Sequence, residues 1–264
     1  MDPSDEEIAY LANSANRVAV LEKLTEAPHS RHVLEETADV SRVTLGRIID
    51  ELSSRQWITQ QGQVCTITPL GTWVIEEYLD FRSMMDAERR LREVFQWFPE
   101  TAYGFHIKHL ADADITAISR ANASAPLSRH VEQFEQGGSF WSFSFAITRL
   151  LLESCWKHVR DGNATFDWVF TQEVLDVLRN DSNMARQSRE MLESGRVEYR
   201  YYDGEIPYIV LGSDEMINLR LADEDGSPTA LIESDAEAVR NWAESTFEEL
   251  WEAATPVHAT EFTA

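Results

Sequence analysis

Between Asn16 and Pro69 the chain orders its apolar positions and its punctuation in a way that few folds satisfy. Asn16 to Thr25 places Val18, Leu21 and Leu24 on one helical face, and Pro28 closes that segment. Ser30 has the character of an N-cap for a shorter second helix, Arg31 to Ala38, which would direct Val33, Leu34 and Thr37 inward. Asp39-Val40 turns the chain, and Ser41 caps a third helix in which Leu45, Ile49 and Leu52 recur at i, i+4 and i+7. Those three positions seat the helix on a core and leave Ser41, Arg42, Thr44 and Arg47 outward near its start. Trp57 to Thr68 then reads as two short extended runs about a polar turn at Gly62, a β-hairpin. Thr68-Pro69 supplies a cap and a first-turn proline for the helix that follows.

This order of elements resembles the winged helix-turn-helix transcription regulators of archaea and bacteria. Val40 to Arg47 looks like their recognition helix, and Ile67-Thr68-Pro69-Leu70-Gly71 like the junction between wing and helix. The resemblance implies double-stranded operator DNA as partner. Arginines and small hydroxyls at a helix N-terminus suit phosphates and base edges in a major groove, so Ser41, Arg42, Thr44 and Arg47 are the leading DNA-binding candidates. Arg31 and Gln61 stand behind them, with Arg55, Gln60 and Gln63 weaker again. The alternative is a winged helix that works through protein contacts without a small-molecule ligand. Charge speaks for that alternative, because residues 1–88 hold 16 acids against 7 bases.

The whole chain of 264 residues carries 46 acids and 23 bases, for a formal charge of −23. Only Lys23, Lys108 and Lys157 are lysines, and the acids are spread along the chain. A carboxylate surface of this density stays hydrated and screened at molar salt, so the expected setting is the cytoplasm of a halophile. There the usual objection to DNA binding by an acidic protein weakens, since counterion release contributes little at molar salt and shape and base contacts must do more. The N-terminus lacks a basic start and an apolar stretch, and no run approaches the roughly 18 apolar residues of a membrane span, so neither a leader nor a membrane partner is expected. Cys65 and Cys155 fall in no ligand or disulfide spacing and are expected as buried thiols.

From Leu70 to about Phe95 a helical pattern runs through Val74, Tyr78, Phe81, Met84, Met85, Leu91 and Val94. It would serve either as a homodimer contact or as a helix packed on its own domain. Beyond Phe98-Pro99, extended and helical runs alternate: strands at Ile115–Ser119, Phe140–Phe145 and Phe166–Phe170, helices at Leu127–Phe134, Ala146–Val159 and Gln172–Leu178. That alternation implies a sheet with parallel members. Val197–Tyr201, Ile206–Leu211, Met216–Leu221 and Thr229–Glu233 read as an antiparallel meander. Ser234-Asp235-Ala236-Glu237 reads as a capping box for a last helix with Val239, Trp242, Ala243, Phe247, Leu250 and Trp251 on one stripe. The expected fold class is therefore mixed α/β: residues 1–70 a winged helix, 71–98 a linking helix, 99–257 an α/β domain and 258–264 a tail.

Ile232 to Glu244, with Ile115-Thr116-Ala117-Ile118-Ser119, Ala125-Pro126-Leu127 and Asp223-Glu224-Asp225-Gly226 in order, resembles the methanogenesis-regulator type of archaeal transcription factor. The resemblance implies a winged helix followed by a ligand-sensing α/β domain, distantly similar to the phospholipase-D-like sensor domains of TrmB-like sugar regulators. The catalytic pair of HxK motifs is missing; His106-Ile107-Lys108 has the spacing once. No nucleophile elbow, phosphate loop, dinucleotide fingerprint or metalloprotease motif occurs, and no cofactor or metal is expected. Strand ends and the helix after Pro126 give the ligand candidates Ser119, Arg120, Asn122, Arg129, His130, Ser144 and Thr171, a set suited to a small anionic or sugar-like metabolite. Phe140, Trp141, Phe143 and Phe145 read as core.

Overall fold

The computed structural model describes residues 2–99 and 103–262, and its chain separates into two compact units, Met1–Ser83 and Met84–Ala264. The first is built from α1 (Pro3–Ala12), α2 (Ala15–Glu26), β1 (His29–Ser30), α3 (Arg31–Ala38), α4 (Arg42–Ser54), β2 (Ile58–Gln61), β3 (Val64–Ile67) and the start of α5 (Pro69–Leu91). Its caps are the expected ones: Ser30 accepts from the Val33 amide, and Ser41 from the Thr44 amide. Asp39 enters the left-handed region at φ 50°, which ends α3 and turns the chain into α4. The hairpin β2–β3 pairs antiparallel, and β1 joins its open edge to give the order β1-β3-β2. Leu21, Leu24, Leu34, Leu45, Ile49, Leu52, Ile58 and Cys65 make the core. Thr37, expected inside, is exposed; its hydroxyl donates to the Val33 carbonyl, and Ala38 takes the buried position.

The junction from wing to α5 is fixed by contact as well as by capping. The Thr68 hydroxyl donates to the Gln56 and Trp57 carbonyls and accepts from the Gly71 amide. A β-carbon at Gly71 would lie 2.1 Å from the Trp57 carbonyl oxygen, so only glycine fits there. The helix that follows ends at Leu91, short of the expected Phe95, and a turn and a 3-10 segment (Phe95–Trp97) replace its last residues.

The second unit is an eight-stranded sheet. In chain order it comprises β4 (Asp114–Ala117), α6 (Ala125–Glu135), β5 (Gly138–Ser144), α7 (Arg149–Arg160), β6 (Ala164–Thr171), α8 (Gln172–Asn180), α9 (Ser182–Glu193), β7 (Val197–Tyr202), β8 (Ile209–Ser213), β9 (Ile217–Ala222), β10 (Pro228–Ser234), α10 (Glu237–Ala253) and β11 (Thr255–Val257). The strand order is β11-β7-β6-β5-β8-β9-β10-β4. β5, β6 and β7 are parallel, and every other pairing is antiparallel.

β7 therefore lies outside the meander that the sequence suggests. Asp203-Gly204 does not make a two-residue hairpin; the chain needs the residues up to Tyr208 before it re-enters the sheet at Ile209, beside β5. Six residues reach up to about 20 Å, enough to step over two strands spaced about 4.8 Å apart. The freed edge of β7 is taken by β11, and Phe262 is buried beyond it, so the expected tail packs into the sheet domain as far as it is described.

The sheet buries both faces. One carries Phe140, Phe166, Trp168 and Phe170 beneath α6 to α9; the other carries Phe143, Val169, Leu219 and Ile232 beneath α10, whose Val239 and Ala243 are buried with Trp242, Phe247, Leu250 and Trp251 packed alongside. That helix starts at Glu237 because the Ser234 hydroxyl accepts from the nearby Ala236 amide and makes a local turn instead of the expected capping box.

Candidate nucleic-acid interface and ligand cavities

The outer face of α4 gathers the groups expected there. Ser41 and Thr44 hydroxyls lie 3.0 Å apart at its N-terminus. The Arg42 side chain is 87% exposed with its Nε 3.4 Å from Glu35, and Arg47 is 70% exposed with its Nε 3.7 Å from Glu51. Ion pairs this open contribute little, about 0–1 kcal/mol, and are readily exchanged for a phosphate. Arg31 reaches the same face from α3: its Nη2 lies 3.2 Å from where a Gly46 β-carbon would stand, so the missing side chain of Gly46 makes its room. At the wing tip Gln61 and Gln63 are exposed, while Gln60 donates to the Gly62 carbonyl and closes the turn.

Two features of this face escape the sequence reading. Val43 is 85% exposed between Arg42 and Thr44, an apolar side chain on an otherwise polar face. Its signal was a valine off the Leu45-Ile49-Leu52 stripe. Second, Arg17 and Arg55 belong to the scaffold: their guanidinium carbons lie 3.9 and 3.8 Å from the Tyr10 ring centroid. Arg17 pairs with Glu51 and Arg55 with Glu7. Burial and the Glu51 carboxylate push the Tyr10 hydroxyl up to about 12, so it remains a donor. With these two committed, Arg31, Arg42 and Arg47 are the arginines left to this surface.

In the second unit the seven ligand candidates do not converge. Ser119, Arg120 and Asn122 are exposed in the loop after β4, where Ser119 and Asn122 exchange backbone hydrogen bonds. Arg129, on α6, is taken by a bidentate pair with buried Glu233, both contacts at 2.9 Å. Glu233 also accepts from Gln133, which reaches Asn218 as well. Thr171, at the carboxyl end of β6, lines a cleft of about 680 Å³ with Phe145, Tyr202, Glu173, Asp203 and Glu205. The cleft stands where open α/β sheets bind ligands, but its charged members are acids.

His130 and Ser144 come together with a residue the sequence reading passed over. They line an interior cavity of about 40 Å³ with Ser142, Arg220 and an apolar wall. The Ser142 hydroxyl donates to the Val210 carbonyl, and Ser144 accepts from the Trp168 indole. His130 is buried, and desolvation together with the Arg220 charge pushes its pKa down to about 3, so it is neutral. Arg220 donates to the Ala146 carbonyl at 3.1 Å. It was hidden by strand alternation: in β9, Ile217, Leu219 and Leu221 enter one core, and the opposite side, Asn218 and Arg220, reads as solvated when it is covered. His106 caps the short turn Ile107–Leu110 by accepting from the Lys108 amide, so the isolated HxK spacing lies off the strands.

The chain thus joins a winged helix, whose α4 presents exposed arginines, to an α/β domain with a small cavity and open clefts. Residues 5–90 match the family described as the HVO_A0261 N-terminal domain, and residues 123–253 match the middle domain of the methanogenesis regulatory protein FilR1. The chain therefore carries, in that order, a domain of the HVO_A0261 N-terminal type and a domain of the FilR1 middle type. No curated protein sequence matches it. Among solved structures, TrmBL2, an archaeal chromatin protein, is 14% identical over 96% of this chain and 99% of its own, with a TM-score of 0.42. The phospholipase D family member Nuc from Salmonella typhimurium is 9% identical over 55% of this chain and 97% of its own, at 0.41. NucT from Helicobacter pylori is 11% identical over 55% and 98%, at 0.43. Among the described residues no helix is long and apolar enough to cross a membrane.

Proposed function

We propose that the protein is a sequence-specific DNA-binding regulator of transcription whose operator affinity is set by a small metabolite held in the Met84–Ala264 unit, without chemical transformation of that metabolite. The observation that carries the reading is the face of α4, where Arg42, Val43 and Arg47 project beyond a Ser41–Thr44 cap. An exposed apolar residue flanked by exposed arginines costs solubility without stabilising the fold, and a major groove gives each of them a partner. The working form is a homodimer in a cytoplasm at molar salt. α5 supports it by leaving the large apolar side chains of Trp73 and Phe81 exposed.

The test is a mobility-shift titration of the full-length protein at molar KCl on the DNA upstream of its own gene, repeated with phosphorylated sugars, organic acids and nucleotides. Specific retardation that one compound class alters is the expected result. A second reading, regulation through protein contacts alone, draws on the same exposed Trp73 and on the excess of acids in residues 1–88. Equal affinity for unrelated DNA, or none, would favour it.

A further inference from the structure

The sheet domain encloses a guanidinium with no counter-charge. Arg220 is 4% exposed, its Nη2 donates to the Ala146 carbonyl, and its Nε has no partner. Among the described residues, no carboxylate stands within ion-pair distance of it. The buried acid on the same face of the sheet, Glu233, is already held by Arg129 and Gln133. A buried cation left without an opposite charge is costly, and folded chains keep such groups where something neutralises them.

Arg220 also borders open space. The cavity it lines with His130, Ser142 and Ser144 measures about 40 Å³. One water needs roughly 10–15 Å³ measured this way, so the space suits about three water-sized groups. Its polar members are donors. Ser142 spends its hydrogen on the Val210 carbonyl, but Ser144 receives the Trp168 N–H and retains its own hydrogen to give. Neutral His130 has a ring nitrogen, Nδ1, without a partner. The rest of the lining is mainly apolar, with Phe134, Leu151, Leu152 and Leu211 among it, and leaves no room for a sugar ring or a nucleotide.

We propose that this cavity is a binding site for a small monoanion, either an inorganic ion of halide size or the carboxylate group of a short organic acid, held by Arg220 Nε with the Ser144 hydroxyl. Occupancy of the site stands on the geometry alone. That its occupant is the effector of DNA binding rests on the function proposed above.

The test uses the full-length protein at constant potassium concentration, with sulfate, too large for the space, exchanged stepwise for bromide in one series and formate in the other. The readout is the difference in Tm between wild type and Arg220→Met. The anion site gives a difference that rises and saturates in at least one series, by roughly 5–10 °C at a hundredfold excess over Kd. The bromide arm identifies an inorganic ion, the formate arm a carboxylate. In sulfate alone Arg220→Met is expected to melt at or above the wild type, because it removes an uncompensated charge. A purely structural arginine would instead make Arg220→Met less stable by the same amount in every salt, and that result overturns the proposal. Wild-type crystals soaked in bromide and in formate keep the test decisive should the variant not fold: an anomalous bromide peak or formate density at hydrogen-bond distance from Arg220 Nε supports the site, and a cavity holding only water in both refutes it. Retardation of the upstream DNA, measured in the same salt series, separates the two claims. Retardation that changes along the saturating series supports the regulatory reading; retardation that is absent, or identical in every salt, with the Tm effect intact would remove it and keep the anion site.

Discussion

The two units treat the same side chain in opposite ways. On α4, Arg42 and Arg47 lie in water, loosely tethered to Glu35 and Glu51. Inside the sheet domain, Arg220 lies in a cavity with one carbonyl for a partner, and Arg129 closes over buried Glu233. A charge in water can be lent to a phosphate at almost no cost to folding, whereas a charge in a core must be answered from within. Exposed arginines are therefore read as contacts for a large partner, and a buried one as a demand on something small.

That contrast breaks first at Arg129. Replacing it by methionine takes two charge-assisted donors from the buried Glu233 carboxylate; because Arg129 itself is 42% exposed and Gln133 still donates, the loss is about 1–3 kcal/mol. Urea denaturation should show that loss, and a change under about 1 kcal/mol would mean that Glu233 is hydrated after all. The second effect depends on pH. His130 stays neutral in the fold to about pH 3 but takes a proton near pH 6.5 when unfolded. The unfolded chain binds the extra proton between those values, so the neutral histidine's contribution is complete above pH 6.5 and is lost as pH falls. Between pH 6.5 and 4 this amounts to about 3 kcal/mol at 1.36 kcal/mol per unit. His130→Gln should flatten the stability curve over that range relative to wild type, and parallel curves would place His130 in contact with water.

Smaller effects belong to α4. Ser41→Ala removes the N-cap bond to the Thr44 amide and should cost about 1 kcal/mol of stability in thermal melts. Val43→Ser should leave the fold untouched and lower discrimination for a thymine at one operator position by about 1 kcal/mol, read from binding to DNA with uracil in its place. Equal affinities of both proteins for both DNAs would remove Val43 from the base-reading set.

Much of the first unit was legible because its elements are delimited locally. Ser30, Ser41 and Thr68-Pro69 each satisfy amides within three residues of themselves, so sequence order alone locates the helices. α1 was not legible: Ile8 is exposed, Leu11 is the one buried apolar residue among those of the helix that are described, and it is held through Tyr10 between two arginines from elsewhere in the chain. α9 was hidden for a related reason, as its buried face includes Gln187 and Ser188. In the sheet domain the parallel members and the antiparallel run β8–β9–β10 were readable, whereas β11 and the placing of β7 were not, since β7 finds β6 and β11 across long separations. The ligand candidates suffered most. Choosing polar residues at strand ends and on the helix after Pro126 found Ser144 and His130, but Arg220 lies mid-strand, outside both sets.

The central claim is that α4 reads DNA through its exposed arginines. Its most direct test is fluorescence anisotropy at molar KCl, with labelled DNA from upstream of the protein's own gene, comparing wild type with Arg42→Ala and Arg47→Ala. Each substitution should weaken specific binding by about 1–3 kcal/mol, roughly 5- to 150-fold, while the unfolding midpoint stays where it was. Unchanged affinity in both variants, with the wild type bound specifically, would contradict the account.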